Sequence, residues 1–286
     1  MSARDTSDAR DARSAREVRE DALAPLVSLV RRGDDWAHPD PGGEVTVYVK
    51  GFLARGEEPD HFEGWLASHG EAATRCRWSP DALGYRWPSG RVGPPPVPLA
   101  SAAKIAVDVV RSLSKARRFH VGAAVAMTAG EELARLALRF VGEYRAAERA
   151  AAERADALAA ALGALAERHA RVRVVAHSLG ARHAIEAIAS LPASARPHEV
   201  HLCAPACRED DVASALGSLA RERAHVYFAP GDLVLRTGFA LLSGGAAIGA
   251  AGLARAHPGL EAWDVSQHFE FWVHGQYQRA FGAMAR

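Results

Sequence analysis

The chain has 286 residues, with 35 Lys plus Arg against 34 Asp plus Glu and a formal net charge of +1. So close a balance supplies no electrostatic reason to expect nucleic acid or an anionic bilayer as a partner. The length suits one large core, an α/β domain with an inserted cap or lid, and is short for two full-sized catalytic domains.

Three cysteines, Cys76, Cys203 and Cys207, are an odd and sparse set. They argue against a secreted disulfide framework and for a reducing compartment. The opening Met1-Ser2-Ala3-Arg4-Asp5 stays highly charged through Glu20. It lacks the apolar run of roughly 7–15 residues that a secretory signal needs, so a cytoplasmic location is expected.

In chain order, residues 1–20 read as a charged arm with almost no apolar anchors. A single domain is expected over residues 21–286. Leu23, Val27, Leu29 and Val30 predict a short amphipathic helix within Val18–Val30, which the prolines and glycines of Asp34–Gly43 then break. Val45-Thr46-Val47-Tyr48-Val49 is a β-branched and aromatic run, a strand ending at Gly51. Asp60–His69 predicts a helix with Asp60 as N-cap, and a second strand is expected at Arg75–Trp78 or Leu83–Trp87. Pro88–Pro98 reads as loop. Alanine-rich helical sequence fills Ser101–Ala170, interrupted near His120–Gly130.

The pattern then changes to short strands alternating with helices. Strands are predicted at Arg173–Val175, Val200–Cys203, His225–Phe228 and Glu261–Val265, and helices at Ala181–Leu191 and Asp211–Ala220. That alternation implies βαβ units and a mostly parallel sheet flanked by helices.

Within it, Val174-Val175-Ala176-His177-Ser178-Leu179-Gly180-Ala181-Arg182 carries a candidate nucleophile. A serine on a strained turn between strand and helix needs small residues two before and two after it, because the flanking backbones pass too close for larger ones. Ala176 and Gly180 satisfy this, and no other serine in the chain has Gly or Ala at both positions. The following helix N-terminus directs its free N–H groups at the same point. The adjoining His177 reads as a packing residue.

A serine nucleophile needs a base and an acid, which in such an arrangement follow it in chain order. Asp232 lies just past the strand His225–Phe228, on a turn opened by Pro230-Gly231, and is the favoured acid; Asp210 and Asp211 are weaker alternatives. Two histidines follow the last strand, His268 and His274, and spacing alone leaves the base open between them. Oxyanion donors are expected at the N–H of Leu179, next to the serine, and at Phe52, where Gly51 lets the chain turn.

Four segments together, Val45–Leu53, Ala176–Arg182, Val226–Leu235 and Asp264–Tyr277, resemble the blocks of a poorly characterised α/β-hydrolase family. Its eukaryotic members are multi-span proteins named for transmembrane and coiled-coil domains. The resemblance covers most of the chain from Val45 onward. It implies a Ser–Asp–His hydrolase, in keeping with the α/β-hydrolase fold with a helical lid or insert that the alternation, the serine turn and the chain length lead one to expect. It also implies a final block of Asp-Val-Ser followed by His-x-x-Tyr, which maps onto Asp264-Val265-Ser266, His274 and Tyr277 and so favours His274 as base. Two departures are evident: Ala176 stands where the family has glycine, and the membrane spans of the eukaryotic members have no clear counterpart.

Thr237–Ala254 is uncharged between Arg236 and Arg255 and as one helix would reach about 27 Å. Five glycines weaken it. A single crossing would also put Asp232 and His274 on opposite sides of a bilayer. The run therefore reads as an apolar lid over a substrate channel, with 121–127 opposite, or as a buried packing helix; peripheral membrane contact fits the first. Cys203-Ala-Pro-Ala-Cys207 with His201 lacks a zinc-site spacing and a fourth ligand, so no metal and no cofactor is expected. The expected chemistry is hydrolysis of a small-molecule or lipid ester, with thioesterase and peptidase activity open within the same chemistry. The competing expectation is a non-catalytic interaction or lipid-binding module on the same fold.

Overall fold

The structure, a computed structural model, describes residues 20–33, 35–52, 58–89, 141–270 and 273–286. The expectations for the N-terminal arm, for the loop beyond residue 89 and for helical sequence over 101–140, including 121–127, lie outside the described residues.

The strands in chain order are β1 (Leu26–Ser28), β2 (Val30–Arg32), β3 (Asp35–Ala37), β4 (Glu44–Val49), β5 (Ala82–Tyr85), β6 (Arg171–His177), β7 (Glu199–Cys203), β8 (Arg223–Phe228) and β9 (Leu260–Asp264). The longer helices are α1 (Glu63–Cys76), α2 (Ala155–Arg168), α3 (Leu179–Ala189), α4 (Glu209–Leu216) and α5 (Val273–Met284). Seven strands form one sheet in the order β1-β5-β4-β6-β7-β8-β9. Only β1 runs antiparallel to its neighbour; β4 to β9 and β5 are parallel. β2 and β3 form a separate hairpin.

Parallel strands are covered on both faces and so are buried along almost their whole length. β4, β6 and β7 are buried at all but their end residues. The two faces differ. Val45, Val47, Val172, Val174, Val200 and Val226 make an aliphatic face, on the side where α3 packs beside α2 and α4. Tyr48, Arg173, His201, His225 and Tyr227 alternate with them onto the other, where α1 packs against α5. There Trp65 of α1 meets Tyr48, and Phe281 of α5 meets His201 and Tyr227.

The chain steps from β4 through α1 to β5, crosses back to β6 on the far side of β4, and continues outward to β9. Connections therefore diverge between β4 and β6. In open α/β sheets the crevice at the carboxyl ends of such a strand pair is where ligands bind. This strand order, with the strand–turn–helix at β6–α3, is the α/β-hydrolase fold.

Several local expectations are corrected. Of the helix predicted within Val18–Val30, only 20–23 are helical among the described residues. Leu26–Ser28 instead pairs antiparallel with β5, Leu26 opposite Tyr85 and Ser28 opposite Leu83, and this pairing overrides the helical spacing. The predicted break at Asp34–Gly43 holds β3, with Gly33 at φ 68° in the hairpin turn. The helix expected from Asp60 begins as a 3₁₀ turn, Pro59–Phe62, and its N-cap is Glu58. There the Glu58 N–H donates to His61 Nδ1 at 3.2 Å. α1 then runs through Arg75, and the second strand forms at Ala82–Tyr85.

Thr237–Ala254 is not one helix. A π-helical segment (Val234–Phe239) and a short turn (Ala240–Ser243) end at Gly244, φ 70°. A second turn (Ile248–Ala251) ends at Gly252, φ 74°. No helix among the described residues is long and apolar enough to cross a membrane.

Candidate active site

β6 delivers Ser178 to the mouth of the crevice. The serine stands at φ 55°, ψ −125°, a conformation costly for any residue with a side chain, of order 1–3 kcal/mol. Neighbouring backbone holds it there. The Ser178 N–H donates to the Cys203 carbonyl at 2.9 Å, and its carbonyl accepts from Ala181 and Ala206 at 3.0 and 3.1 Å. Two of these contacts come from the last residue of β7 and the segment after it, which has its own left-handed residue, Ala204, at φ 45°.

Small residues permit the close passage. A Cβ on Gly180 would lie 2.2 Å from the Lys50 carbonyl oxygen, and one on Gly51 would lie 2.7 Å from Ser178 Cβ. The end of β4 thus touches both the turn and the helix start. The Trp87 indole N–H fixes it there, donating to the Lys50 carbonyl at 2.9 Å.

Ser178 Oγ lies 2.9 Å from His274 Nε2, and His274 Nδ1 lies 2.7 Å from Asp232 Oδ2. A carboxylate accepts, so Nδ1 carries the proton and the Nε2 lone pair is left to accept from the serine hydroxyl. Asp232 is fully buried. A turn closed by its N–H donating to the Ala229 carbonyl, 3.0 Å, places it after β8. Its second oxygen accepts from the Leu235 N–H at 3.1 Å, so both oxygens are partnered as a buried carboxylate requires.

The structure therefore brings Ser178, His274 and Asp232 together. His268 lies elsewhere, in the 3₁₀ turn Ser266–His268 between β9 and α5. Asp210 pairs with Arg255 at 2.6 Å on the exposed start of α4, and Asp211 is on the same turn, facing Arg208. Leu179 is the first residue of α3, where a helix offers N–H groups without intrahelical acceptors. Phe52 follows the Gly51 contact, its ring edge-on to Tyr144 at 5.3 Å. His201 Nδ1 lies 2.9 Å from the Tyr227 hydroxyl, and no metal-holding group of His, Cys, Asp or Glu occurs among the described residues.

Two features are invisible to motif reading. His177 is more than packing: its Nε2–H donates to the His274 carbonyl at 2.9 Å. The Ala204–Cys207 segment braces the serine turn across a gap in sequence that no local pattern spans.

No family model matches the chain, and no curated protein matches it in sequence. Among solved structures it is similar to esterase B from Lactobacillus rhamnosis in two inhibited forms. The C6-C4 SN3 inhibited form is 11% identical over 96% of this chain and 88% of that one, with a TM-score of 0.36. The tributyrin phosphonate form is 11% identical over 97% and 93%, with a TM-score of 0.32. A thermophilic esterase from the planctomycete Thermogutta terrifontis, with butyrate bound, is 12% identical over 88% and 80%, with a TM-score of 0.27. The fold assignment rests on strand order and the serine turn.

Proposed function

We propose that the protein is a serine hydrolase acting on carboxylic esters, esterase- or lipase-like. The observation that carries this reading is the unbroken chain from Asp232 through His274 to Ser178, at 2.7 and 2.9 Å. In the proposed reaction His274 Nε2 takes the hydroxyl proton as Ser178 Oγ attacks the ester carbonyl carbon. Asp232 holds the ring in its reactive tautomer and offsets the imidazolium charge as it forms. The N–H groups of Leu179 and Phe52 stabilise the oxyanion. His274 then returns the proton to the leaving alcohol, and water, deprotonated by the same imidazole, releases the acid. The substrate is a small-molecule or lipid ester. Kinship with the α/β-hydrolase family named for its transmembrane and coiled-coil members is part of the same proposal, supported by the resemblance of the four sequence blocks.

Hydrolysis of p-nitrophenyl esters of increasing acyl length tests this reading. Ser178→Ala and His274→Ala are each expected to lower kcat by at least about three orders of magnitude, with His268→Ala near wild type. Turnover that survives Ser178→Ala would refute it, as would an absence of turnover across the series.

A further inference from the structure

His177, immediately before the nucleophile, sits with its ring 4.8 Å from that of His274, 5.8 Å from Tyr277 and 6.1 Å from Trp65. Its Nε2 is 2.9 Å from the main-chain carbonyl of His274. A carbonyl can only accept, so Nε2 carries the proton and cannot act as a base. Adjacent residues of the serine turn thus reach the same distant residue. His177 holds its backbone, and Ser178 meets its imidazole.

We propose that His177 is a positioning residue that clamps the base-bearing turn to the nucleophile strand. The proposal rests on the serine-hydrolase reading. The need for a clamp follows from topology. Residue 274 arrives on α5 after the edge strand β9, and β8 separates β9 from β7 and β6. No sheet hydrogen bond links the base to the nucleophile. A misplacement near 1 Å costs about 10²-fold in rate, so the backbone at residue 274 has to be tied to β6 directly. The tie must also be uncharged, because a cation 4.8 Å from His274 would oppose the imidazolium that forms there. Burial, with His274 beside it, holds the His177 pKa well below its ordinary value. Lys50 adds to the same direction, and the bond to the His274 carbonyl opposes it without reversing it.

The test compares His177→Leu, which removes the donor, with His177→Gln, whose amide N–H reaches a similar distance, and His177→Asn, whose amide falls short. With p-nitrophenyl butyrate, His177→Leu and His177→Asn are expected to lose about 10–100-fold in kcat with KM within about twofold, and His177→Gln to regain most of the loss. Equal impairment of Gln and Asn, or an undiminished kcat in Leu, overturns the clamp. Should the Leu variant not fold, the Gln/Asn pair decides. Crystal structures of these variants give a readout independent of turnover: the His274 Nε2 to Ser178 Oγ distance should open in Asn and persist in Gln. Full turnover in Ser178→Ala would instead refute the hydrolase reading, and the distance comparison would still decide the clamp.

Discussion

Arg77, Ser178 and Ala204 are the non-glycine residues with positive φ among those described, and two of the three are at the candidate site. Strain there is held by hydrogen bonds from the Ala181 and Ala206 N–H groups and to the Cys203 carbonyl, and by the absence of a Cβ at Gly180 and Gly51. Gly180→Ala puts a methyl 2.2 Å from a carbonyl oxygen that the Trp87 indole also holds, so the backbone cannot yield cheaply. It is expected to destabilise the fold by about 2–3 kcal/mol, read as a lower urea midpoint. A midpoint unchanged from wild type would mean that the two backbones are not in contact. Tyr277 makes the opposite case. Its hydroxyl is buried without a hydrogen-bond partner among the described residues, and burial raises its pKa. Tyr277→Phe removes an unpaired polar group and should raise stability by about 1 kcal/mol. A loss of stability would show that the hydroxyl has a partner.

At the scale of elements, the apolar segment over 237–254 behaves as fixed packing in its second half. The Ile248 and Gly249 N–H groups donate to the carbonyls of Cys207 and Pro205 at 2.9 and 3.0 Å. A Cβ on Gly249 would lie 2.3 Å from the Ala204 carbonyl carbon. These amides should exchange hydrogen as slowly as those of β7, and exchange within minutes would identify a mobile lid instead.

The alternation from β6 to β9 is legible because parallel strands need continuous apolar runs and helices need longer amphipathic ones. The serine turn is legible because Ala176 and Gly180 answer a local steric demand. β1 to β3 are not, since three-residue strands are made by their partners: Leu26–Ser28 becomes a strand by pairing with residues 83–85. Spacing likewise leaves His268 and His274 equivalent. They separate only in the fold, where His268 ends the 3₁₀ turn Ser266–His268 and His274, at the start of α5, lies 2.9 Å from Ser178 Oγ.

At the scale of the molecule, several histidines are buried as neutral rings. Burial lowers the pKa of His69 to about 4, although hydrogen bonds to the Ser79 and Pro80 carbonyls oppose the shift. Burial likewise lowers that of His183 to about 4. Burial pushes His201 well below its ordinary value, helped by the neighbouring His225. In the unfolded chain these groups protonate near pH 6.5. Between pH 6.5 and 4 the unfolded state therefore binds more protons than the folded one, and stability falls as pH falls. The slope is about 1.4 kcal/mol per pH unit for each proton taken up. Urea midpoints should decline from pH 6.5 downward, before most carboxylates protonate, and a flat profile to pH 5 would contradict the burial of these rings.

A fluorophosphonate probe phosphonylates an activated serine and needs no knowledge of the substrate, so labelling asks whether Ser178 is the nucleophile. A single adduct is expected, on the peptide carrying Ser178. Labelling should be abolished in Ser178→Ala and slowed by orders of magnitude in His274→Ala, with both variants folded. An adduct on another residue, or undiminished labelling of folded Ser178→Ala, would contradict it.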